Sequence, residues 1–390
     1  MPHIKAKRVE NIKLPAKVGE FRYNWLATPL KEGESSLVDV SYKEKHFLLT
    51  LKPKGDTILI KPDKTTRISP TSVMKEALLG FLEVADVELI SDNLAQKKDH
   101  AKKAEPHLKP IDFFIDSFPT DKEVWIEVGF GSGRHLLYQA KSHPDILFIG
   151  IEIHKPSIEQ LLKQIALQKI ENILVVDYDA RLFLEFVPSN IVGKIFVHFP
   201  VPWDKKPHRR VISKAFIHEA KRVLKKGGVL ELRTDSENYF RYSFDLFMQE
   251  PKAKLEVTKN IEPPVSSKYE DRWVRLGKDI YDIRFFSLEE SPPLQRNFDF
   301  IFTNVQFNGN ILAKLDTKPM VFEDYFIHFE KMYRIDSEHY LIKLSFGSFD
   351  RPEHKYLLAG PEGIRYYPTL PVLSRANIKA HKKLEEIFHG

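Results

Sequence analysis

Three glycines, Gly129, Gly131 and Gly133, follow at once on the apolar run VWIEV (124–128), and their type and spacing are the first signal of chemistry in this chain. Glycine there lets the backbone turn sharply out of a strand and lets a ligand approach it closely. The spacing is G-x-G-x-G, not the G-x-G-x-x-G of dinucleotide folds, which weighs against a dinucleotide oxidoreductase. The next apolar run, ILFIGIEI (146–153), carries Glu152 near its end, 25 residues after Glu127. Ligands of such sheets sit outside the carboxyl ends of the strands, so Glu152 is placed to hydrogen-bond ribose hydroxyls. The third run, NILVVD (172–177), ends near Asp177 and Asp179, where a carboxylate can reach an adenine amino group. Each acid alone would pass for a helix cap or a surface residue. Together, behind a glycine loop, they point to an adenosine-containing cofactor.

A second cluster, HFPVPWDKKPHRR (198–210), follows the fourth run. Lys205, Lys206, His208, Arg209 and Arg210 crowd beside Trp203 and several prolines. Cations that grip phosphates next to a stackable aromatic suit RNA, and the prolines restrict the loop. The competing reading is a basic surface loop with Trp203 as a core anchor. Further on, ELRTDSENYF (231–240) ends a strand at Thr234 and Asp235, again at the ligand edge. VSSKYEDRWVRLGKDIYDIRFF (265–286) sets a polar Ser267-Lys268-Tyr269-Glu270 cluster before a basic segment and a strand. Read structurally, it is a hairpin with a charged loop.

Positioning these groups takes a sheet whose strands end on one edge. Over 111–288, VWIEV, ILFIGIEI, NILVVD, KIFVHF (194–199) and VLELRT (229–234) alternate with helical patterns such as SIEQLLKQIALQK (157–169) and SKAFIHEAKRVLKK (213–226). That alternation predicts an α/β domain with a mostly parallel sheet covered on both faces. KLEVTK (254–259) and IYDIRFFSL (280–288) are candidates to extend it. Residues 1–90 read as a small mixed α/β domain: HFLLTL (46–51) and DTILI (56–60) flank a hairpin signal, and Thr71 or Ser72 is a candidate cap for a helix over 73–85. Residues 91–110 read as a basic linker with five lysines. Residues 289–390 read as a separate β-rich domain, with strand-like FDFIFTNVQF (298–307), NILAKL (310–315) and HYLIKLSFGSF (339–349) and a helical pattern at 376–388.

Composition removes several classes. There is no cysteine in the 390 residues, which excludes disulfides, iron–sulfur clusters and thiol nucleophiles. No apolar run reaches the ~18 residues of a membrane span, and MPHIKAKRVENIK carries no apolar signal segment; a cytoplasmic protein is expected. No metal ion is expected at the site. Lys and Arg number 20 against 15 Asp and Glu over 1–110, 27 against 25 over 111–288, and 13 against 14 over 289–390. The excess therefore lies near the N-terminus, where it favours either a polyanion partner or plain solubility.

The run EVGFGSG, then GIEIH, the DA at 179–180, the basic Pro-Trp loop, the TD at 234–235 and finally SKYE resembles the bacterial tRNA (guanine-N7)-methyltransferases over about residues 112–288. The resemblance implies a Rossmann-like class I methyltransferase domain, S-adenosylmethionine as donor, and the variable-loop guanosine of tRNA as acceptor. It places Glu127, Gly129, Gly131, Gly133, Glu152 and Asp179 at cofactor-binding positions. Lys205, Asp235, Ser267, Lys268, Tyr269 and Glu270 fall at substrate-binding positions. One departure matters: the family's loop reads Asp-Pro-Trp, and here Val201 precedes Pro202 and Trp203. The active-site role usually given to that aspartate passes to Asp204, or else to Asp235.

Guanine N7 has a free lone pair and no proton, so its methylation calls for alignment and charge stabilisation rather than a strong base. Two rival readings share parts of the pattern. A methyltransferase of another RNA base or of protein would keep the glycine loop and Glu152 without needing the basic loop. A non-catalytic RNA-binding protein with a vestigial cofactor site would account for Val201. The sequence leaves the oligomeric state open.

Overall fold

A computed structural model describes residues 2–68, 71–94, 106–263, 276–295, 297–303, 305, 307 and 309–389. The chain divides into two compact units: Lys102–Asn297, and Met1–Ala101 joined with Phe298–Gly390.

The unit formed by Lys102–Asn297 is α/β. Its strands are β1 (Val124–Val128), β2 (Leu147–Glu152), β3 (Ile173–Asp177), β4 (Val192–His198), β5 (Leu224–Thr234), β6 (Lys254–Lys259) and β7 (Tyr281–Phe286). They form one sheet in the order β3-β2-β1-β4-β5-β7-β6. The neighbours β3/β2, β2/β1, β1/β4 and β4/β5 pair in parallel, while β7 runs antiparallel to both β5 and β6. KLEVTK and IYDIRFF thus extend the sheet. Every residue of β1 is buried, as a strand covered on both faces requires.

Besides the short helix Ala180–Phe183, the strands are connected by α1 (Arg134–Ser142), α2 (Lys155–Gln168), α3 (Lys214–Val223) and α4 (Glu237–Met248). The apolar stripe of α2, Ile158, Leu161, Leu162 and Ile165, packs with Leu136, Leu137 and Ala140 of α1 and with Phe148 and Val175 of the sheet. Ser213 caps α3 by accepting from the Phe216 amide at 3.2 Å, and Ser236 caps α4 by accepting from Tyr239 at 3.2 Å. Leu108 forms a parallel bridge to Val175, beside the outer strand β3, so the end of the lysine-rich 91–110 stretch is part of this unit. Residues 95–105 of that stretch lie outside the described residues.

The other unit unites the two flanks that the sequence separates. Its twelve-stranded sheet runs from Gly363–Tyr367, Glu353–Gly360, Tyr340–Gly347 and Phe326–Arg334 directly into Phe21–Pro29, Ser36–Tyr42, Lys45–Lys54, Thr57–Pro62, Ile4–Glu10 and Asp86–Asp92. The junction is an antiparallel pairing of Tyr333 with Pro29 and of Arg334 with Thr28. The Tyr367 hydroxyl donates to Asp39 across the two segments, and Asn24 donates to the same buried carboxylate at 2.6 Å. The helix Thr71–Val84 covers the N-terminal strands and Arg375–His389 the C-terminal ones. Thr71 and Ser72 lie within the first helix rather than before it. Gly309–Lys314 is a 3-10 turn, not a strand, and the described residues of 298–307 are irregular chain whose phenylalanines fill the core. Among the described residues no helix is long and apolar enough to cross a membrane.

Candidate functional site

The glycine loop leaves β1 with Gly129, Gly131 and Gly133 all at positive φ: 67°, 53° and 72°. L-residues with a side chain rarely adopt that conformation. The Gly129 amide donates to the Ile151 carbonyl at 2.8 Å, locking the loop to β2. Nothing lies within 4 Å of where a Cβ on Gly129 would stand, so that side of the loop is open to a ligand. At Gly133 a Cβ would meet Leu161 at 2.6 Å, so this glycine serves the close approach of α1 to α2.

Glu152 closes β2 and faces the same loop. Its Oε2 accepts from the Gly131 amide at 3.2 Å, and its Oε1 accepts from the amides of Ile153 at 2.8 Å and His154 at 3.0 Å. A carboxylate offers about four acceptor sites, so capacity for a further donor remains. Asp177 ends β3 exposed, while Asp179 caps the short helix Ala180–Phe183. Asp179 is held by Arg181, with Nε at 3.0 Å from Oδ1 and Nη2 at 2.7 Å from Oδ2.

Glu127 is buried on β1, and the ring of His135 on α1 donates to it at 2.8 Å. His198, at the end of β4, donates in turn to Glu231 on β5 at 2.9 Å, and Arg284 on β7 donates to Glu231 at 3.0 Å. The two imidazole centroids are 4.5 Å apart. A polar line therefore crosses one face of the sheet from β1 to β7. Burial alone would lower the pKa of His135, but the charge and hydrogen bond of Glu127 outweigh it and hold the ring above the ordinary histidine value. Burial would likewise raise the Glu231 carboxyl; His198 and Arg284 pull it down to about 2. No motif in the sequence marks His135, His198, Glu231 or Arg284. Each is a lone polar residue in or beside an apolar run, and only the strand register, Glu127 beside Phe196 and Glu231 beside Arg284, brings them together.

The basic loop after β4 is anchored from within. Arg210 is buried: its Nε donates to the Pro202 carbonyl at 2.7 Å and its Nη2 to Asp204 at 3.2 Å. Its guanidinium stands 4.4 Å from the Tyr242 ring centroid and 5.3 Å from that of Tyr239. The Tyr239 hydroxyl also accepts from the Ile212 amide at 3.0 Å. These bonds tie the loop to α4, whose N-terminus follows Asp235. Phe199 and Trp203 take positive φ, 49° and 46°, a backbone strain that such anchoring has to offset. Lys205, Lys206, His208 and Arg209 are exposed, and Arg209 lies over the exposed Trp203 ring at 5.2 Å. Val201 points to solvent, 60% exposed. Asp204 is half exposed and Asp235 is paired with Lys278 at 2.6 Å. Ser267, Lys268, Tyr269 and Glu270 lie outside the described residues.

Gly129, Glu152, Asp179, the 199–210 loop and Asp235 thus all follow the carboxyl ends of adjacent parallel strands. The arrangement offers acceptors beside an open glycine turn, and exposed cations beside an aromatic ring.

Residues 121–283 match a family model described as "Putative methyltransferase". Over nearly its full length the chain is similar to proteins named tRNA (guanine-N(7)-)-methyltransferase. It is 42% identical to that of Wolinella succinogenes, covering 99% of both chains. It is 40% identical to that of Helicobacter pylori (strain HPAG1), covering 100% of this chain and 98% of the relative. With that of Campylobacter fetus subsp. fetus the identity is 38%, covering 99% and 98%.

Proposed function

The chain belongs to the tRNA (guanine-N(7)-)-methyltransferase family, and we infer that it transfers a methyl group from S-adenosylmethionine to N7 of a guanosine in tRNA. The catalytic domain in this reading is the α/β unit, a Rossmann-like class I methyltransferase. The observation that carries it is full-length likeness to these relatives in a chain whose open glycine turn and Glu152 sit side by side. The acceptor we assign is the variable-loop guanosine, and the reaction places the protein with tRNA in the cytoplasm.

The residues present suit an adenosine-containing donor. Gly129 leaves the backbone approachable, Gly131 and Gly133 shape the turn, Glu152 has acceptor capacity for ribose hydroxyls, and the second lone pair of Asp179 Oδ2 is available to an adenine amino group. Glu127, paired with His135, fixes the end of β1 from which the loop departs. S-adenosylmethionine supplies a methyl group on a sulfonium, already activated for transfer. What remains for the chain is to hold guanine N7 in line with that methyl and to stabilise the positive charge that the base gains.

Lys205 and its neighbours hold phosphates, with Ser267, Lys268 and Tyr269 contributing from the SKYE segment, while Glu270 accepts from donors on the base. Asp235 orients the base. Asp204 stands in for the family aspartate replaced by Val201, its carboxylate aimed by the buried Arg210. N7 carries no proton, so a carboxylate three residues along the same loop can meet the electrostatic requirement. The test is the transfer of labelled methyl from S-adenosylmethionine to unmodified bulk tRNA, ribosomal RNA and protein offered separately. Label in tRNA alone is the expected result; label in protein overturns the reading.

A further inference from the structure

Part of the N-terminal positive charge lies on one side of a sheet in the unit that lacks the glycine loop. In the strand Ile4–Glu10, Ile4 and Ala6 are fully buried, and Lys5 and Lys7 point the other way. Strand register then carries the same face across its neighbours. Lys5 stands opposite Leu59, and Leu59 stands opposite Lys52. Two residues along, Lys54 shares the face of Lys52, and Lys61, opposite Thr50, shares that of Leu59. The reverse face carries Ile4, Ala6, Leu51 and Ile60 and packs with Val73, Ala77 and Phe81 of the helix Thr71–Val84. Five lysines thus stand on the helix-free side of three adjacent strands. With strands ~4.8 Å apart and same-face residues ~6.8 Å apart along each, their Cα atoms span a patch of roughly 10 by 14 Å.

Among the described residues, only Lys7 of the five is ion-paired, to Glu88 at 3.2 Å. Like charges gathered this closely repel one another, and nothing in the packing of the unit calls for them. Further along the same face Leu37 and Leu48 are buried in a core, but the stretch that carries the lysines is not part of it. A polyanion that lays successive phosphates along the strip relieves the repulsion and releases its own counterions.

We propose that Lys5, Lys7, Lys52, Lys54 and Lys61 form a second tRNA-docking surface, which grips the phosphate backbone without reading sequence. The proposal rests on the tRNA-directed reading of the other unit. The surface adds substrate affinity through the phosphate backbone, the kind of contact that positions rather than specifies.

The test uses the full-length protein and direct binding of an unmodified tRNA transcript, without turnover, over a range of salt concentrations. Lys5→Ala, Lys52→Ala and Lys61→Ala combined should weaken tRNA binding about ten-fold or more. The combination should also flatten the dependence of log affinity on log salt by about one per lysine replaced. A control with Lys31→Ala and Lys43→Ala, both in turns of the same unit, should keep the wild-type slope. All five positions are surface side chains, so a melting curve matching wild type is expected and shows that any loss of binding is not unfolding. Wild-type affinity and slope in the triple variant overturn the proposal. So does lysine-dependent binding to anionic lipid vesicles with tRNA affinity unaltered. If tRNA accepts no methyl group but the lysine-dependent binding persists, the reading of the α/β unit fails and this surface stands.

Discussion

His135 Nδ1 lies 2.8 Å from Glu127 Oε2 at the root of the glycine loop, with the carboxylate buried and the ring largely covered. A buried carboxylate stripped of its partner is costly, by ~3–5 kcal/mol. His135→Ala should therefore destabilise the α/β unit by about 3 kcal/mol in urea unfolding, and Glu127→Gln added to it should recover part of that loss. The pair also sets a pH dependence. The folded-state pKa of His135 is raised, so its contribution is fully present below the unfolded value of about 6.5 and is lost as pH rises through the higher folded value. The advantage of wild type over His135→Gln should shrink as pH rises from about 6.5 through the raised folded-state value. An advantage that is constant with pH removes the ionic pair from the account. Gln139 Nε2 sits 3.1 Å from His135 Nε2, a bond only a neutral ring can accept, so protonation requires that amide to turn.

Arg210 and its neighbours in the loop should separate cleanly. Arg210 is buried against Tyr239, Tyr242, the Pro202 carbonyl and Asp204. Arg210→Ala should lower thermal stability and turnover while leaving the salt slope of tRNA binding close to wild type. Arg210→Lys should restore little, because lysine lacks the planar fork. Lys205, Lys206 and Arg209 are exposed, and their combined replacement by alanine should flatten the slope by about 0.7–0.9 for each phosphate no longer neutralised. Equal slopes for the two variants would refute this division of labour.

Glu152→Ala should weaken S-adenosylmethionine binding by about 10- to 150-fold, equivalent to ~1.5–3 kcal/mol for a charge-assisted hydrogen bond. Titration calorimetry reads this directly. Some of the loss will come through the loop, since Glu152 also accepts from the Gly131 amide. Unchanged affinity contradicts the placement of the ribose.

Asp204→Asn should reduce turnover on tRNA by about ten-fold or more, roughly 1.4 kcal/mol of transition-state stabilisation. Val201→Asp should not abolish it. Full turnover in Asp204→Asn, with a deficit in Asp235→Asn, would move the charge-stabilising role to Asp235, which the structure pairs with Lys278.

What was legible in the sequence follows from the range over which each signal acts. VWIEV, its glycine turn and Glu152 are local patterns, and the sheet order β3-β2-β1-β4-β5 sets them side by side. The merging of the flanks left no such trace. Tyr333 pairs with Pro29 across some three hundred residues of chain, and nothing near either residue records the pairing. For the same reason 289–390 reads as a domain of its own, although it completes a sheet begun at Ile4. The run 298–307 looks like a strand because its alternating phenylalanines fill a core; they do so as irregular chain against the helix Arg375–His389. The line from Glu127 to Arg284 stayed hidden because its members come from β1, α1, β4, β5 and β7 and meet only through register.

The most direct test of the central claim is the identity of the methylated nucleoside. Wild-type protein, labelled S-adenosylmethionine and an unmodified tRNA transcript bearing a variable-loop guanosine are incubated together. The RNA is then digested to nucleosides and the label located by chromatography and mass spectrometry. The expected result is label in 7-methylguanosine, and its loss when the variable-loop guanosine is replaced by adenosine. Label in any other nucleoside, or none in correctly folded tRNA, contradicts it.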